Sequence, residues 1–494
     1  MTSPEPLNEY HYIACDLGAE SGRVILGRLR EGRVTIEEIH RFPNGAVKIA
    51  GSLRWDILRI FEELKIGLRK VAAKGVAVES LSVDSWGLDY VLTGAGQPML
   101  SLPYSYRDAR TDRTFAAALR SPGPEPIFAE TGIQFLAINT LYQLIAERES
   151  SAQLLGSADR FVMIADYLHF LFSGIAAAEE SLASTTQLYH PVTRKWSERL
   201  IEIFALPPHI FPPLVAPGTN LGPLLPEITA ETGLQGVPVI ATCSHDTGAA
   251  VAAVPASGED WAYLSSGTWS LIGVELPRPL LDEAARAHNF TNEAGFAGTT
   301  RFLKNIVGLW LLQECRRTWA RAGHDFNYGT LASQAEHAEP FRSLINPNDA
   351  RFLKPDKMPE KIAAYCRETG QPTPETPGQF TRCIYESLAL LYRRTLDEIT
   401  SVTGRPIARL HIVGGGSQST LLNQFAANAT GRTVLAGPVE ATALGNVLIQ
   451  AIALGHLGSL AELRETVAAS FSIAEYPPEE AGQWQEAFAR FIRL

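Results

Sequence analysis

The spacing of apolar positions changes character several times along the first hundred residues. Tyr12-Ile-Ala-Cys is a short apolar run that ends in Asp16. After the turn Leu17-Gly-Ala-Glu-Ser-Gly22, the segments Arg23–Arg30 and Val34–Phe42 alternate like strands around Glu31-Gly32. From Asp56 to Lys74 the period lengthens, and Ile57, Ile60, Phe61, Leu64, Leu68 and Val71 form one helical stripe. Ser80–Asp84 and Leu88–Thr93 read again as strand segments, on either side of Ser85-Trp86-Gly87.

A second series begins after a Pro- and Gly-rich stretch, Pro207–Pro238, which reads as loop. The apolar run Val239–Cys243 hands over, through Ser244-His245-Asp246-Thr247, to a helix of small residues, Gly248–Val254. Asp246 therefore stands where a strand passes into a helix, a position that faces a crevice at the strand's carboxyl end. The same position equally suits a helix cap, with Ser244 or Asp246 accepting free N–H groups. Val254-Pro-Ala-Ser-Gly-Glu-Asp260 reads as a domain boundary, dividing residues 1–254 from 255–494. Beyond it the opening pattern returns, with Trp261–Ser265, the turn Ser266-Gly267-Thr268 and Trp269–Glu275 giving strand, turn and strand. Two such hairpins, one at the head of each half, predict a duplication with a phosphate chain held by their turns.

Further on, Arg301–Gln313 reads as an apolar helix carrying two neutral amides, Asn305 and Gln313, which want backbone or ligand partners. Leu410–Val413 is a strand that enters Gly414-Gly415-Gly416, and Thr420–Ala429 has helical period. Glycines between strand and helix let the backbone approach a flat ligand. The tail Phe471–Leu494 reads as partly helical.

Composition narrows the class. A chain of 494 residues exceeds the size at which one core stops growing, so two large domains are expected. With 46% apolar and 19% charged residues it has the make-up of an ordinary globular protein. A net charge of −10 argues against a nucleic-acid partner. No apolar run reaches the length of a membrane span, and Met1–Tyr10 lacks the basic and apolar regions of a signal peptide, so a cytoplasmic protein with no membrane partner is expected. Cys15, Cys243, Cys315, Cys366 and Cys383 show no paired spacing and are expected reduced, although Cys366 and Cys383 are free to meet in space. The histidines have no metal-ligand spacing.

The candidate chemistry lies in the turns. At the tip of the first hairpin several backbone N–H groups converge and can cradle a phosphate, while Asp16 beside them can hold a cation through water. Trp86-Gly87, flanked by Asp84 and Asp89, offers a sugar an apolar plate, close backbone and hydroxyl acceptors, although a Trp simply packed beside a turn accounts for the same residues. No G-x-x-x-x-G-K-[ST] occurs, and no G-x-S-x-G elbow surrounds Ser244, which excludes a P-loop enzyme and argues against a serine hydrolase.

Taken together, Asp16-Leu-Gly-Ala-Glu-Ser-Gly-Arg23, Asp84-Ser-Trp-Gly-Leu-Asp89, Ser244-His-Asp-Thr247, Ser265-Ser-Gly-Thr-Trp-Ser270, Leu303–Gln313 and His411-Ile-Val-Gly-Gly-Gly416 resemble the FGGY carbohydrate kinases. The likeness runs from about Tyr12 to Leu454, and Gly132–Leu136, Asn139–Gln143 and Gly437–Asn446 carry a narrower match within the family. The resemblance implies an α/β fold, the two-domain actin-like ATPase (ribonuclease H-like) fold, with ATP and Mg²⁺ in a central cleft that closes on sugar. It implies that Asp246 is the catalytic base, and that Gly87, His245, Asp246, Thr247 and Asn305 contact a ketose. Ala19, Glu20, Ser21, Gly22, Arg23, Thr268, Gln313 and Gly415 would contact ATP, with Asp16 reaching Mg²⁺ through water. The expected assembly is a monomer or homodimer. One departure is visible: Ala19 stands where many relatives carry Thr, and Glu20 adds a negative charge beside the phosphates. That carboxylate must point away or reach Mg²⁺ through water, leaving the backbone N–H to serve.

Overall fold

The computed structural model of the chain describes residues 9–479 and 481–494, so Met1–Asn8 of the N-terminal reading lies outside the described residues. The chain forms two compact units. The first gathers Met1–Pro255, Glu275–Phe302 and Ala441–Ser470; the second gathers Ala256–Val274, Leu303–Glu440 and Phe471–Leu494.

The sheet of the first unit runs, from one edge to the other, Arg33–Pro43, Ser21–Arg30, Glu9–Leu17, Val78–Ser85, Pro238–Ala241 and Thr219–Pro223. The first three strands are joined as antiparallel hairpins, the next two lie parallel to Glu9–Leu17, and the last is antiparallel. The sheet built on the second hairpin runs, from one edge to the other, Thr291–Ala294, Thr300–Val307, Trp269–Leu276, Trp261–Ser266, Arg409–Val413, Thr433–Ala436 and Ala474–Tyr476. Its hairpin Trp261–Ser266/Trp269–Leu276 is antiparallel, the next two strands are parallel to Trp261–Ser266, and the far strand is again antiparallel. Apart from the added edge strand Thr291–Ala294, the strand order of this sheet repeats that of the first.

The helical stripe of the first unit is the helix Ile57–Ala72, which buries Ile57, Ile60, Leu64, Leu68 and Val71. Asp56 caps it by accepting the Arg59 N–H at 3.2 Å. Gly67 faces the sheet because a Cβ there would stand 2.4 Å from Val24. In the second unit, Thr376 and Gln379 form a reciprocal capping box ahead of the long helix Pro377–Thr403. The tail of the chain supplies a helix, Leu460–Ser470, the edge strand Ala474–Tyr476 and a final helix, Ala481–Phe491.

One sequence-based expectation is overturned here. Arg301–Gln313 is not a single helix: Thr300–Val307 is a strand, and the helix begins only at Trp310 and runs to Arg321. Gly308 explains the break. Its backbone crosses the turn of the neighbouring hairpin so closely that a Cβ would lie 2.7 Å from the carbonyl oxygen of Gly267. The chain must clear that crossing before it can coil.

All five cysteines are buried free thiols, with Cys366 and Cys383 adjacent to each other. Among the described residues, no helix is long and apolar enough to cross a membrane.

The helices Asp246–Ala252 and Ala441–Ala453 pack backbone to side within the first unit, and a Cβ at Gly445 would lie 1.9 Å from the Ala249 carbonyl oxygen. Neither partner of that contact is a flexible side chain, so Gly445→Ala is expected to cost about 1–3 kcal/mol of stability or more. Denaturant unfolding of the variant checks this, and an unchanged midpoint would contradict it.

Candidate active site

In the first unit three adjacent parallel strands end together, and each delivers polar groups at its carboxyl end. Asp16 and Asp84 are direct partners in the register of Glu9–Leu17 with Val78–Ser85. Ser85 bridges His245, and the Ser85 N–H donates to the Ser244 carbonyl at 2.9 Å. This brings Asp16, Asp84, His245, Asp246 and Thr247 to one edge, as the reading of each as a strand-end residue requires.

Asp246 opens the helix Asp246–Ala252 and keeps 30% of its side chain exposed. Its Oδ1 accepts the Thr247 N–H at 2.5 Å and the Thr247 hydroxyl at 3.0 Å, and lies 3.4 Å from His245 Nε2. Its Oδ2 accepts no hydrogen bond among the described residues. Burial of the surroundings raises the carboxyl above its ordinary range, a His245 ring in its charged form would oppose that rise, and the charge of Asp16 adds to it. The capping alternative is only half realised. His245, not Asp246, holds the cap position, no side chain bonds there as a cap, and the Ser244 hydroxyl is buried without a partner.

Behind this turn stand residues that sequence reading did not single out. Glu179 is fully buried, accepts the N–H groups of Ser244 and Ser181 at 2.9 Å each, and has its carboxyl pushed up to about 7 by burial. The Ser181 hydroxyl in turn accepts the His245 N–H at 3.2 Å. On the other side, Nη2 of the fully buried Arg301 lies 3.2 Å from His245 Nδ1. Glu293 Oε2 lies 3.0 Å from Arg301 Nη1 and 3.3 Å from His245 Nδ1. The one signal available for Arg301 was a charge at the head of an apolar stretch, and reading that stretch as helix hid which face it occupies. Glu293 carried no local signal at all.

Asp84 is wholly buried and accepts from Asn446 Nδ2 at 2.6 Å, and its Oδ1 has no partner. Burial first, then the charges of Asp16 and Asp246, raise its carboxyl well above the usual range. Asp16 is paired with the guanidinium of Arg23. Among the described residues no cluster of three or more His, Cys, Asp or Glu is arranged to hold a metal. One carboxylate is nonetheless enough for Mg²⁺ when water and phosphate complete its shell, so Asp16 at this strand end fits that ion.

The first hairpin tip has Gly18 N–H bonded to the Ser21 carbonyl at 2.9 Å, and Asn44 holds the Gly18 and Glu20 carbonyls at 2.8 and 3.0 Å. Ala19 is half-buried and Glu20 is exposed. Gly22 has a packing reason to lack a side chain, since a Cβ would lie 2.2 Å from the Phe42 ring.

The Trp86-Gly87 turn follows the reading of a Trp packed beside a turn, not that of an open sugar plate. Trp86 is buried against Trp55, with ring centroids 4.3 Å apart. Asp89 is fully buried and accepts from Trp55, Trp86, Tyr106 and Gln143 at 2.6 to 3.1 Å, so its oxygens are taken up by the protein. Gly87 sits where a Cβ would come within 2.9 Å of the Thr185 hydroxyl, and Leu88 follows at φ +79°. Thr140 and Gln143 both donate to the Leu88 carbonyl, at 2.6 and 3.4 Å, so the stretch Asn139–Gln143 acts by fixing this turn.

In the second unit, Ser266-Gly267-Thr268 forms the hairpin turn as read. The carbonyls of Gly267 and Thr268 accept the N–H groups of Leu309 and Trp310 at 2.9 and 3.2 Å, which docks the helix Trp310–Arg321 on the turn. Gln313 lies on that helix, and its buried Oε1 has no partner. Asn305, placed on a helix by sequence, is half-buried on the strand Thr300–Val307. The three glycines after Arg409–Val413 divide their tasks. Gly414 takes φ +83°, and a Cβ at Gly416 would meet the Ser266 hydroxyl at 2.0 Å, whereas Gly415 is exposed with nothing near a Cβ.

Comparison with known proteins agrees with this arrangement. Residues 11–253 match the N-terminal domain, and residues 262–454 the C-terminal domain, of the FGGY family of carbohydrate kinases. The chain is 44% identical over 481 residues to a rhamnulokinase of Bacteroides thetaiotaomicron, covering 97% of this chain and 98% of the relative. It is 41% identical over 469 residues to a rhamnulokinase of Bacillus subtilis, covering 95% and 96%. Among solved structures, a ligand-bound xylulose kinase from Lactobacillus acidophilus superposes with a TM-score of 0.82 at 15% identity, covering 98% of this chain and 97% of that one. Plasmodium falciparum glycerol kinase with ADP superposes at 0.79 and 13% identity, again covering 98% and 97%. The fold is the two-domain sugar-kinase fold, and the chain belongs to the FGGY family of carbohydrate kinases.

Proposed function

We propose that this chain transfers the γ-phosphoryl group of ATP to the C1 hydroxyl of L-rhamnulose, giving ADP and L-rhamnulose 1-phosphate in cytoplasmic L-rhamnose breakdown. The observation that carries phosphoryl transfer is Asp246, whose Oδ1 is occupied by Thr247 donors while Oδ2 is open to a hydroxyl proton. The choice of ketose rests on 40 to 44% identity to rhamnulokinases over nearly the whole chain.

Phosphoryl transfer asks a protein for an aligned hydroxyl, neutralised phosphate oxygens and little covalent work. In this reading Asp246 takes the hydroxyl proton, and Gly87, His245, Thr247 and Asn305 orient the ketose. Backbone N–H groups of Ala19, Glu20, Ser21 and Gly22, with Arg23, lie along the ATP phosphates. Thr268 and Gln313 assist there, and Gly415 lies at the nucleotide. Residues 1–254 supply most sugar and phosphate groups, and 255–494 most nucleotide groups. Mg²⁺, held through water by Asp16, supplies charge neutralisation at the phosphates when bound. The ion pair of Arg23 with Asp16 already offsets one of the three carboxylates at this edge. The working form is a monomer or homodimer.

The direct test is ADP release with Mg-ATP against L-rhamnulose, L-fuculose, D-xylulose, L-ribulose, glycerol and no sugar. A strong preference for L-rhamnulose is expected; turnover on another sugar withdraws the substrate, and silence on all of them points to a sugar sensor on the same fold. Asp246→Asn is expected to lower kcat by roughly 10²- to 10⁴-fold with the ATP KM little changed. Near wild-type turnover would remove Asp246 from its role. Gly415→Val, at a site with free space around its Cβ, is expected to raise the ATP KM while the melting temperature stays put. An unchanged KM would take Gly415 away from the nucleotide.

A further inference from the structure

Arg301 and Glu293 lie outside every residue set assigned above, yet they end on the ring next to the base. An arginine guanidinium has five N–H donors and no acceptor. Its Nη2 lies 3.2 Å from His245 Nδ1 in hydrogen-bonding geometry, so Nδ1 must present its lone pair. A neutral ring with an unprotonated Nδ1 carries its proton on Nε2, and Nε2 is the atom 3.4 Å from Asp246 Oδ1.

Glu293 makes this arrangement sustainable. Arg301 is fully buried, and an unpaired guanidinium there would be costly. The carboxylate of Glu293 lies 3.0 Å from Arg301 Nη1 and balances that charge. The same carboxylate lies 3.3 Å from His245 Nδ1, so it is also the group that would draw a proton onto Nδ1 if Arg301 were absent. Both residues are tied into the unit by its backbone. Arg301 Nε donates to the Ala294 carbonyl at 3.1 Å, and the Ala294 N–H donates to the Ser184 hydroxyl at 2.9 Å.

We propose that Arg301, balanced by Glu293, is a positioning residue that fixes His245 as the Nε2–H tautomer and so sets the orientation of the Asp246 carboxylate. Nε2–H then faces Oδ1 at 3.4 Å, on the same side as the two Thr247 donors. The positive ends of all three N–H and O–H groups thus favour one oxygen, and the other is left to accept the proton of the substrate hydroxyl. No bond to Arg301 or Glu293 forms or breaks in the reaction; the proton passes from the hydroxyl oxygen to Asp246 Oδ2. The kinetic part of this proposal rests on the phosphoryl-transfer reading, whereas the tautomer does not.

The decisive experiment is nitrogen NMR of protein labelled at the histidine rings, at mildly alkaline pH, with the His245 signals identified by their loss in His245→Gln. A pyridine-type Nδ1 and a pyrrole-type Nε2 are expected. A pyrrole-type Nδ1 in the wild type overturns the proposal, whatever the activity. In Arg301→Met the proton is expected to move to Nδ1, with kcat on the sugar that the wild type turns over falling roughly 10- to 100-fold and the ATP KM within about threefold. Arg301→Lys, which keeps a donor, should recover part of the loss. If Arg301→Met retains both the Nε2–H signal and wild-type kcat, the positioning role is wrong. A wild type silent on every sugar refutes the functional reading, and the spectrum still decides the tautomer.

Discussion

The close crossing of two helices in the first unit is the constraint on which the site's geometry depends. Gly445 meets the Ala249 carbonyl with no room for a side chain, which seats Ala441–Ala453 directly on the helix that begins with Asp246. One residue on, Asn446 donates to Asp84, and one turn later Gln450 bonds the Ile13 carbonyl and accepts from Ser80. A single helix therefore references Asp246, the Asp84 strand and the Asp16 strand to one another. Interiors are close-packed and transmit small shifts, so the spacing among these carboxylates is held by packing as much as by hydrogen bonds.

Electrostatics follows from that spacing. Three carboxylates converge at one sheet edge, and without compensation they would favour protonation of at least one. Arg23 lies on Asp16, His245 beside Asp246, and Arg301 behind His245, with Glu293 balancing Arg301. Asp84 has only the neutral amide of Asn446 as donor, and its carboxyl is raised well above the usual range by burial and then by the charges of Asp16 and Asp246. This gradation puts chemically identical groups in different surroundings, with the Asp246 carboxylate partly exposed and that of Asp84 buried and held.

Much of this was legible in the sequence because it depends on local patterns. The two hairpins, the stripe from Ile57 to Val71, and the strand entering Gly414-Gly415-Gly416 follow from period and turn chemistry alone. The motif residues Asp16, His245, Asp246 and Thr247 do meet at one edge, because strand ends in a parallel sheet converge. What escaped depended on contacts remote in sequence. Thr300–Val307 looked helical because its break is imposed by the hairpin turn that Gly308 crosses, some forty residues earlier in the chain. Asp89 looked like a sugar ligand because nothing local reveals that two tryptophans, Tyr106 and Gln143 claim its oxygens. Glu179, Glu293 and Arg301 sit in no recognisable local motif, and only the folded chain shows that all three bear on Ser244 and His245. The return of Ala441–Ser470 to the first unit was invisible for the same reason.

The most direct measurement is a crystal structure with L-rhamnulose and a non-hydrolysable ATP analogue. The account predicts the C1 hydroxyl within hydrogen-bond distance, about 2.6–3.2 Å, of Asp246 Oδ2, with Oδ1 still held by Thr247. A C1 hydroxyl that faces another group, with Asp246 turned away from the sugar, would contradict it.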